Sequence, residues 1–135
     1  MSLHNGVPPS DAEWEAYVKE ISVAMKQSPD GVRGFSLTDG GAPNAKQRHL
    51  ITELIKDRVT KPRTTVVTES AIGRGVITAL SWFNPSMKGF SPAEMWRAVE
   101  HIEIAPEHRA LFHHQLLQWL EEFPIASAKK LPRPS

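Results

Sequence analysis

Short apolar or β-branched runs alternate along the chain with amphipathic helical stretches, and turns separate them. Strand-like runs lie at 32–38, 64–68 and 88–90, and a stretch with helical periodicity follows each of them. Strands that alternate with helices pair in parallel through right-handed crossovers. The pattern predicts an α/β fold with a small, mostly parallel sheet of three to four strands flanked by helices.

Capping residues mark where the helices begin. Ser10 has Glu13 three residues later, and Asn44 has Gln47, so both pairs form capping boxes. Ser70 and Ser91 also stand before helical stretches. The predicted helices cover 11–27, 45–57 and 71–83, with a fourth after Ser91 and a fifth from about Pro106. The helix at 11–27 is an added N-terminal helix that precedes the alternating strands and helices.

The length of 135 residues suits one domain. Gly6, Pro8 and Pro9 indicate a flexible leader over 1–9. The domain then covers 10–126. The segment 127–135 is small, basic and rich in proline, so it predicts a disordered tail.

The expected core joins the 64–68 strand to one face of the helix that follows it. That face carries Ile72 and Gly73, and the glycine allows the helix to approach the sheet closely. We expect almost complete burial of five side chains, namely Val66, Val67, Val76, Leu80 and Phe83.

Composition excludes several classes of protein. The chain has no cysteine, which excludes a disulfide scaffold, thiol catalysis and cysteine-ligated metals. The formal net charge of +1 gives no basic bias, so we expect no nucleic-acid partner. No apolar run is long enough to span a bilayer, and the first ten residues do not resemble a signal peptide. We therefore expect a cytoplasmic protein without a membrane partner.

The turn from Ser70 to Gly75 suggests an alternative function, because a glycine-rich turn between strand and helix can bind phosphate. The dinucleotide fingerprint would require a small residue at Thr78, and its glycines would lie inside the helix. We expect no cofactor, although a nucleotide-binding protein or small enzyme built on this turn stays the alternative.

Two further sets of residues bear on catalysis and metal binding. Asp39, Glu69 and a histidine could meet at the carboxyl ends of parallel strands, but no nucleophile elbow G-x-S-x-G is present, so we expect no enzyme. His113 and His114 are adjacent and point about 100° apart on a helix. No metal is expected.

Residues 64–83 resemble the core of STAS domains, the modules of anti-sigma-factor antagonists and sulfate-transporter tails. The likeness rests on Val66-Val67, on Glu69-Ser70 and on Gly73 to Ile77. It extends over about 32–104 through Asp39 to Asn44 with Gln47-Arg48, and through 88–96.

The resemblance implies a non-enzymatic binding domain. In the antagonists, a partner kinase phosphorylates a serine at the start of this helix, and the added charge breaks binding. Aligned from the strand, that serine falls on Ser70; aligned from the helix, the position falls on Ile72.

The leading hypothesis is accordingly a regulatory module that binds a protein partner. Its candidate interaction or phosphorylation residues are Glu69, Ser70, Arg74 and Trp82. Trp82 lies off the inner stripe of its helix, so it either packs under a neighbouring helix or anchors an interface. A structural homodimer is a second alternative.

Overall fold

Four parallel strands form one sheet in the order β1-β2-β3-β4. The structure is a computed structural model and describes residues 1–28 and 31–132. The strands are β1 (Ser2–His4), β2 (Arg33–Thr38), β3 (Arg63–Val67) and β4 (Met87–Phe90). The helices are α1 (Asp11–Gln27), α2 (Ala45–Ile55), α3 (Ala71–Ser81), α4 (Met95–His101) and α5 (Pro106–Glu122), with 3-10 helices at Pro92–Glu94 and Ala126–Lys130. The predicted α/β fold with a small parallel sheet and an N-terminal helix is confirmed.

The capping residues also join α1 to α2. Asn44 Oδ1 accepts from the backbone N–H of Gln47 at 2.8 Å, and Gln47 Oε1 accepts from that of Asn44 at 3.0 Å. The Gln47 amide then donates to Asp11 at 3.0 Å, and Trp14 Nε1 donates to the Gln47 carbonyl at 2.7 Å. One capping box therefore fixes the start of α2 and its contact with α1.

The two faces of the sheet carry different side chains. One row across the four strands, set by the register, is wholly apolar: Leu3, Leu37, Val67 and Phe90. The next row, on the opposite face, is small: Ser2, Ser36, Val66 and Gly89. Because successive strand residues point to opposite faces, this alternation produces one apolar face and one lined with small side chains.

Helices α4 and α5 cover the apolar face and make the main core. The core members that they and the following loop contribute are Met95, Ala98, Val99, Ile102, Leu116 and Ile125. Thr65 is fully buried on the same face, and its hydroxyl donates to the Ala98 carbonyl at 2.8 Å. This bond satisfies a buried hydroxyl that would otherwise oppose burial.

The expected inner face of α3 is only partly correct. Val67 is fully buried, whereas Val66, Val76 and Leu80 are half-buried. The expected burial of Ile72 and Phe83 is wrong, because these side chains are 71% and 48% exposed.

Two close contacts between α3 and the sheet explain why Ile72 is exposed. A Cβ on Gly73 would lie 3.2 Å from the Thr68 side chain, so the helix does approach the sheet closely there, as expected. One turn later, Ile77 packs over Gly89, where a Cβ would lie 3.0 Å from it. These contacts centre the inner face on Gly73 and Ile77, which turns Ile72 outward.

Both chain ends differ from the expected flexible leader and disordered tail. The leader contains β1, and the next residues are held where the Gly41 N–H donates to the Asn5 carbonyl at 3.0 Å. A Cβ on Gly41 would lie 2.2 Å from the Val7 carbonyl oxygen, so only glycine permits this approach. At the other end, residues 126–130 form a 3-10 helix with Ser127 buried, and 133–135 lie outside the described residues.

Replacing Leu37 with alanine should lower the free energy of unfolding by about 2–5 kcal/mol, because it leaves a cavity in the core under α4 and α5. Ile72→Ala is the matched control and should change it by less than about 0.5 kcal/mol, since Ile72 is exposed. Urea unfolding followed by circular dichroism measures both. Equal losses would show that α3 buries the face that holds Ile72.

Candidate functional site

Two side-chain hydroxyl groups, each accepting a hydrogen bond from a backbone N–H, hold the turn between β3 and α3. The backbone N–H of Ser70 donates to Thr68 Oγ1 at 3.0 Å, and the N–H of Gly73 donates to Ser70 Oγ at 3.2 Å. Thr68 is buried and Ser70 half-buried. Ser70 is therefore the N-cap of α3, as the sequence predicts.

Three of the four predicted interaction residues come together at this turn. Glu69 lies beside the Ser70 cap, and its carboxylate binds the Lys130 ammonium group. The Arg74 guanidinium lies 3.5 Å from the Glu69 carbonyl oxygen. Trp82 is separate, because it follows the other end of α3, about 18 Å along the helix axis at 1.5 Å per residue.

Trp82 and its neighbours give α3 an apolar outer surface. Trp82 is 78% exposed, so the alternative in which it packs under a neighbouring helix is wrong. Ile72 and Phe83 join it on the outside, although the sequence analysis placed both in the core. Gly73 is the signal that could have found them, because an inner face centred on this glycine includes Ile77, four residues later, and leaves Ile72 to one side.

The loop after β2 lies directly against the turn. A Cβ on Gly40 would lie 2.7 Å from Ser70 Oγ, and Gly40 has a φ of 116°, which favours glycine. A larger group on the Ser70 hydroxyl would thus have to move this loop or point away from it.

Asp39, in the same loop, holds the C-terminal segment. Its carboxylate accepts from the backbone N–H groups of Ala126 and Ser127, both at 2.7 Å, and from the Ser127 hydroxyl. Burial alone would raise the pKa of Asp39, but these hydrogen bonds outweigh it and lower the pKa below its ordinary value. Nothing near Asp39 in the sequence indicates this role, because its two partners lie almost ninety residues away.

Asp39 and Glu69 both bind the 3-10 helix Ala126–Lys130, Asp39 through Ser127 and Glu69 through Lys130. No histidine is among the described hydrogen-bond or ion-pair partners of these two carboxylates, so the suggested catalytic grouping is not seen. His114 is exposed, whereas the ring of His113 packs against Trp96 with centroids 4.7 Å apart and ring planes tilted by 47°. Within residues 1–28 and 31–132, no group of three His, Asp or Glu side chains is placed to hold a metal ion.

A crevice of about 450 Å³ lies at the carboxyl ends of β3 and β4. It forms because β3 leads to α3 on one face of the sheet and β4 leads to α4 on the other, which is where α/β proteins often bind ligands. Arg74 and Glu94 both line it. The backbone N–H of Ser91 donates to the Glu94 carboxylate at 3.1 Å, and this bond, with Arg97, keeps the pKa of Glu94 below its ordinary value. A phosphate here would meet one guanidinium group beside a carboxylate that repels it.

Replacing Asp39 with asparagine should lower the free energy of unfolding by about 1–2 kcal/mol at pH 7. Hydrogen bonds to charged groups contribute about 1.5–3 kcal/mol, and this partly solvated carboxylate gives less. Because the pKa is lowered in the folded protein, the loss is complete above about pH 5 and shrinks as pH falls below about 4. Denaturant unfolding at pH 3 and 7 tests this, with Asp57→Asn as an exposed control. A loss for Asp39→Asn that does not change with pH would contradict it.

Comparison with known proteins adds no relative. No protein-family model, no curated protein and no solved structure matches the chain. Among the described helices, none is long and apolar enough to cross a membrane. The resemblance of residues 64–83 to STAS domains therefore stays a prediction.

Proposed function

We propose that the chain is a non-enzymatic protein-binding module whose binding surface is the outer face of α3. The observation that carries the proposal is the exposure of Ile72 on α3 and of Trp82 and Phe83 directly after it, while α3 packs on the sheet through Gly73 and Ile77. The apolar residues of α3 extend beyond the part that packs on the sheet, on the side away from Arg74 and Thr78, and clustered exposed apolar side chains commonly mark an interaction surface. A partner protein would supply the missing cover.

Small residues on the same outer surface support this interpretation. Ala71, Gly75 and Ala79 recur every four residues, so they lie on one side of α3. A Cβ on Gly75 would meet no atom within 4 Å, so internal packing does not require the glycine. In a helix interior, glycine costs about 1 kcal/mol relative to alanine. Close approach of a partner's backbone would explain why this cost is tolerated.

The size of the patch indicates the kind of partner. Aromatic side chains carry about 150–250 Å² each, so the exposed parts of Ile72, Trp82 and Phe83 with the small residues amount to roughly 500 Å². A two-sided contact of about 1,000 Å² is at the low end for specific complexes, and obligate dimers usually bury about 2,000 Å² or more. The patch therefore suits a transient partner better than a permanent second copy of this chain.

The single charge within α3 indicates what kind of residue the partner presents. Arg74 is the charged residue within α3, and it lies near the start of the helix. We expect the partner to present an apolar helix face with an acidic residue at the end that meets Arg74. Such a contact leaves Ser70 at the rim of the interface, where an added negative charge would compete for Arg74. The resemblance to STAS domains points to the same end of the helix.

The nucleotide-binding alternative has less support. Gly73 and Gly75 lie inside α3 rather than in the turn before it, and the nearby crevice is lined by the carboxylate of Glu94 as well as by Arg74. Phosphate binding at a strand–helix turn relies on backbone N–H groups that no side chain already caps. The Ser70 hydroxyl already accepts the Gly73 N–H.

Replacing Trp82 with alanine should reduce partner capture at least about tenfold, because a tryptophan at the centre of an interface commonly contributes 2 kcal/mol or more. Equal amounts of immobilised wild type, Trp82→Ala and Leu111→Ala would be incubated with extract of the native cell, and retained proteins quantified by mass spectrometry. Leu111 is the control, because it is an exposed apolar residue on α5. Undiminished capture by Trp82→Ala would contradict the proposal. A dimer of the chain alone that Trp82→Ala abolishes would assign the surface to a second copy instead.

Changing Ser70 separates regulation by charge from helix capping. Asp and Asn both cap helices and are the same size, so Ser70→Asp and Ser70→Asn should have similar free energies of unfolding. Only the aspartate should weaken capture, because it places a negative charge beside Arg74. Ser70→Ala should lower the free energy of unfolding by about 1 kcal/mol and leave capture intact. Equal capture by all variants would leave Ser70 as a helix cap only.

A further inference from the structure

A cavity of about 80 Å³ lies between the sheet and α3, on the face opposite the main core. Its floor is formed by β2 and β3 and its walls by α1, α3 and the loop before α2. It explains why Val66, Val76 and Leu80 are only half-buried, since all three line it.

The register of the sheet creates this space. The row Ser2, Ser36, Val66 and Gly89 crosses all four strands with small side chains on the α3 face. Thr64 lies two residues before Val66 and also lines the cavity. Meanwhile Gly73 holds the start of α3 close to Thr68, which limits how far the rest of the helix can settle. The cavity is thus set by backbone pairing and by two glycines rather than by flexible side chains.

The lining has an apolar body and uncharged polar groups. No Lys, Arg, Asp or Glu contributes to it among the described residues. Burial lowers the pKa of His4 and raises the pKa of Tyr17, so both side chains are neutral near pH 7. Their rings meet edge to face at 6.1 Å. Among the hydroxyls, Ser36 pairs with Ser2 at 2.6 Å.

His4 is the polar group best placed to meet a ligand. His4 lines the cavity, and within the described part of the chain its ring nitrogens are not among the fully buried atoms without a partner, so they stay accessible to a ligand. A neutral imidazole offers one donor and one acceptor. An apolar molecule with a hydroxyl group could therefore fill the cavity and satisfy this ring at the same time.

We propose that this cavity is a binding site for a small uncharged molecule with an apolar body and one hydroxyl group, such as a phenol-like or short-chain alcohol. Its volume is several times the roughly 10–15 Å³ that one water requires, and well below that of a drug-sized pocket. The site is separate from the outer surface of α3, so the proposal does not depend on the protein-binding function.

The test is titration of the isotope-labelled protein with phenol, followed by methyl resonances in NMR. Shifts of Val66, Val76 and Ile77 should saturate, while those of the fully exposed Val59 should not. Val76→Phe fills the cavity from α3 and should weaken binding at least tenfold. Ile72→Phe makes the same kind of change on the outer side of the helix and should bind phenol like the wild type.

Two results would overturn the proposal. One is the absence of saturable shifts in the wild type, and the other is equal affinity of Val76→Phe and the wild type for phenol. Should Val76→Phe not give a native-like spectrum, Leu80→Phe fills the same cavity from one turn further along α3 and takes its place. His4→Phe should in addition abolish the preference for phenol over benzene, and an unchanged preference would remove His4 from the site.

Discussion

Alternation along the two central strands determines most of this structure. In β2 and β3, one set of side chains includes Phe35, Leu37 and Val67, and the other is small or bears hydroxyl groups. Burial of the first set against α4 and α5 gives the main apolar core, at roughly 25 cal/mol per Å² of apolar surface. The second set leaves α1, α2 and α3 to cover a face that offers them little apolar surface. This difference between the two faces explains both the limited contact of α3 with the sheet and the cavity beneath α3.

The sequence predicts the order of elements well because each signal is local. Capping boxes at Ser10 and Asn44 and the β-branched run before Ser70 need only neighbouring residues, and the structure places all three as expected. The orientation of α3 was harder to predict. Its apolar residues cover more of the helix circumference than the sheet buries, with only Arg74, Thr78 and Ser81 on the polar side, so periodicity does not choose which part of the apolar side is buried. The choice is made by Gly73 and Ile77, which contact the sheet, and the sheet register comes from residues far along the chain.

The candidate site also has one part that nearby residues predict and one part that depends on distant segments of the chain. Glu69, Ser70 and Arg74 lie within five residues of one another, so a turn and the first helical turn bring them together. The exposure of Trp82 depends on what packs beside α3, and the sequence left that choice open. Strand β1 was missed because three residues, Ser-Leu-His, are too few to show alternation. The role of Asp39 was missed because it joins distant segments.

The hydrogen bonds between Asp39 and the segment near Ser127 also determine which contact of the fold can form only late in synthesis. The partners lie 88 residues apart, so β2 leaves the ribosome long before the amides that its following carboxylate binds. Until then, the carboxyl end of β2 has a solvated charge, and one part of the core, Ile125, is absent. Loop closure over this distance adds little entropy cost compared with a loop half as long. Closure of the loop after β2 therefore waits for the synthesis of Ala126 and Ser127 and is not held back by loop entropy.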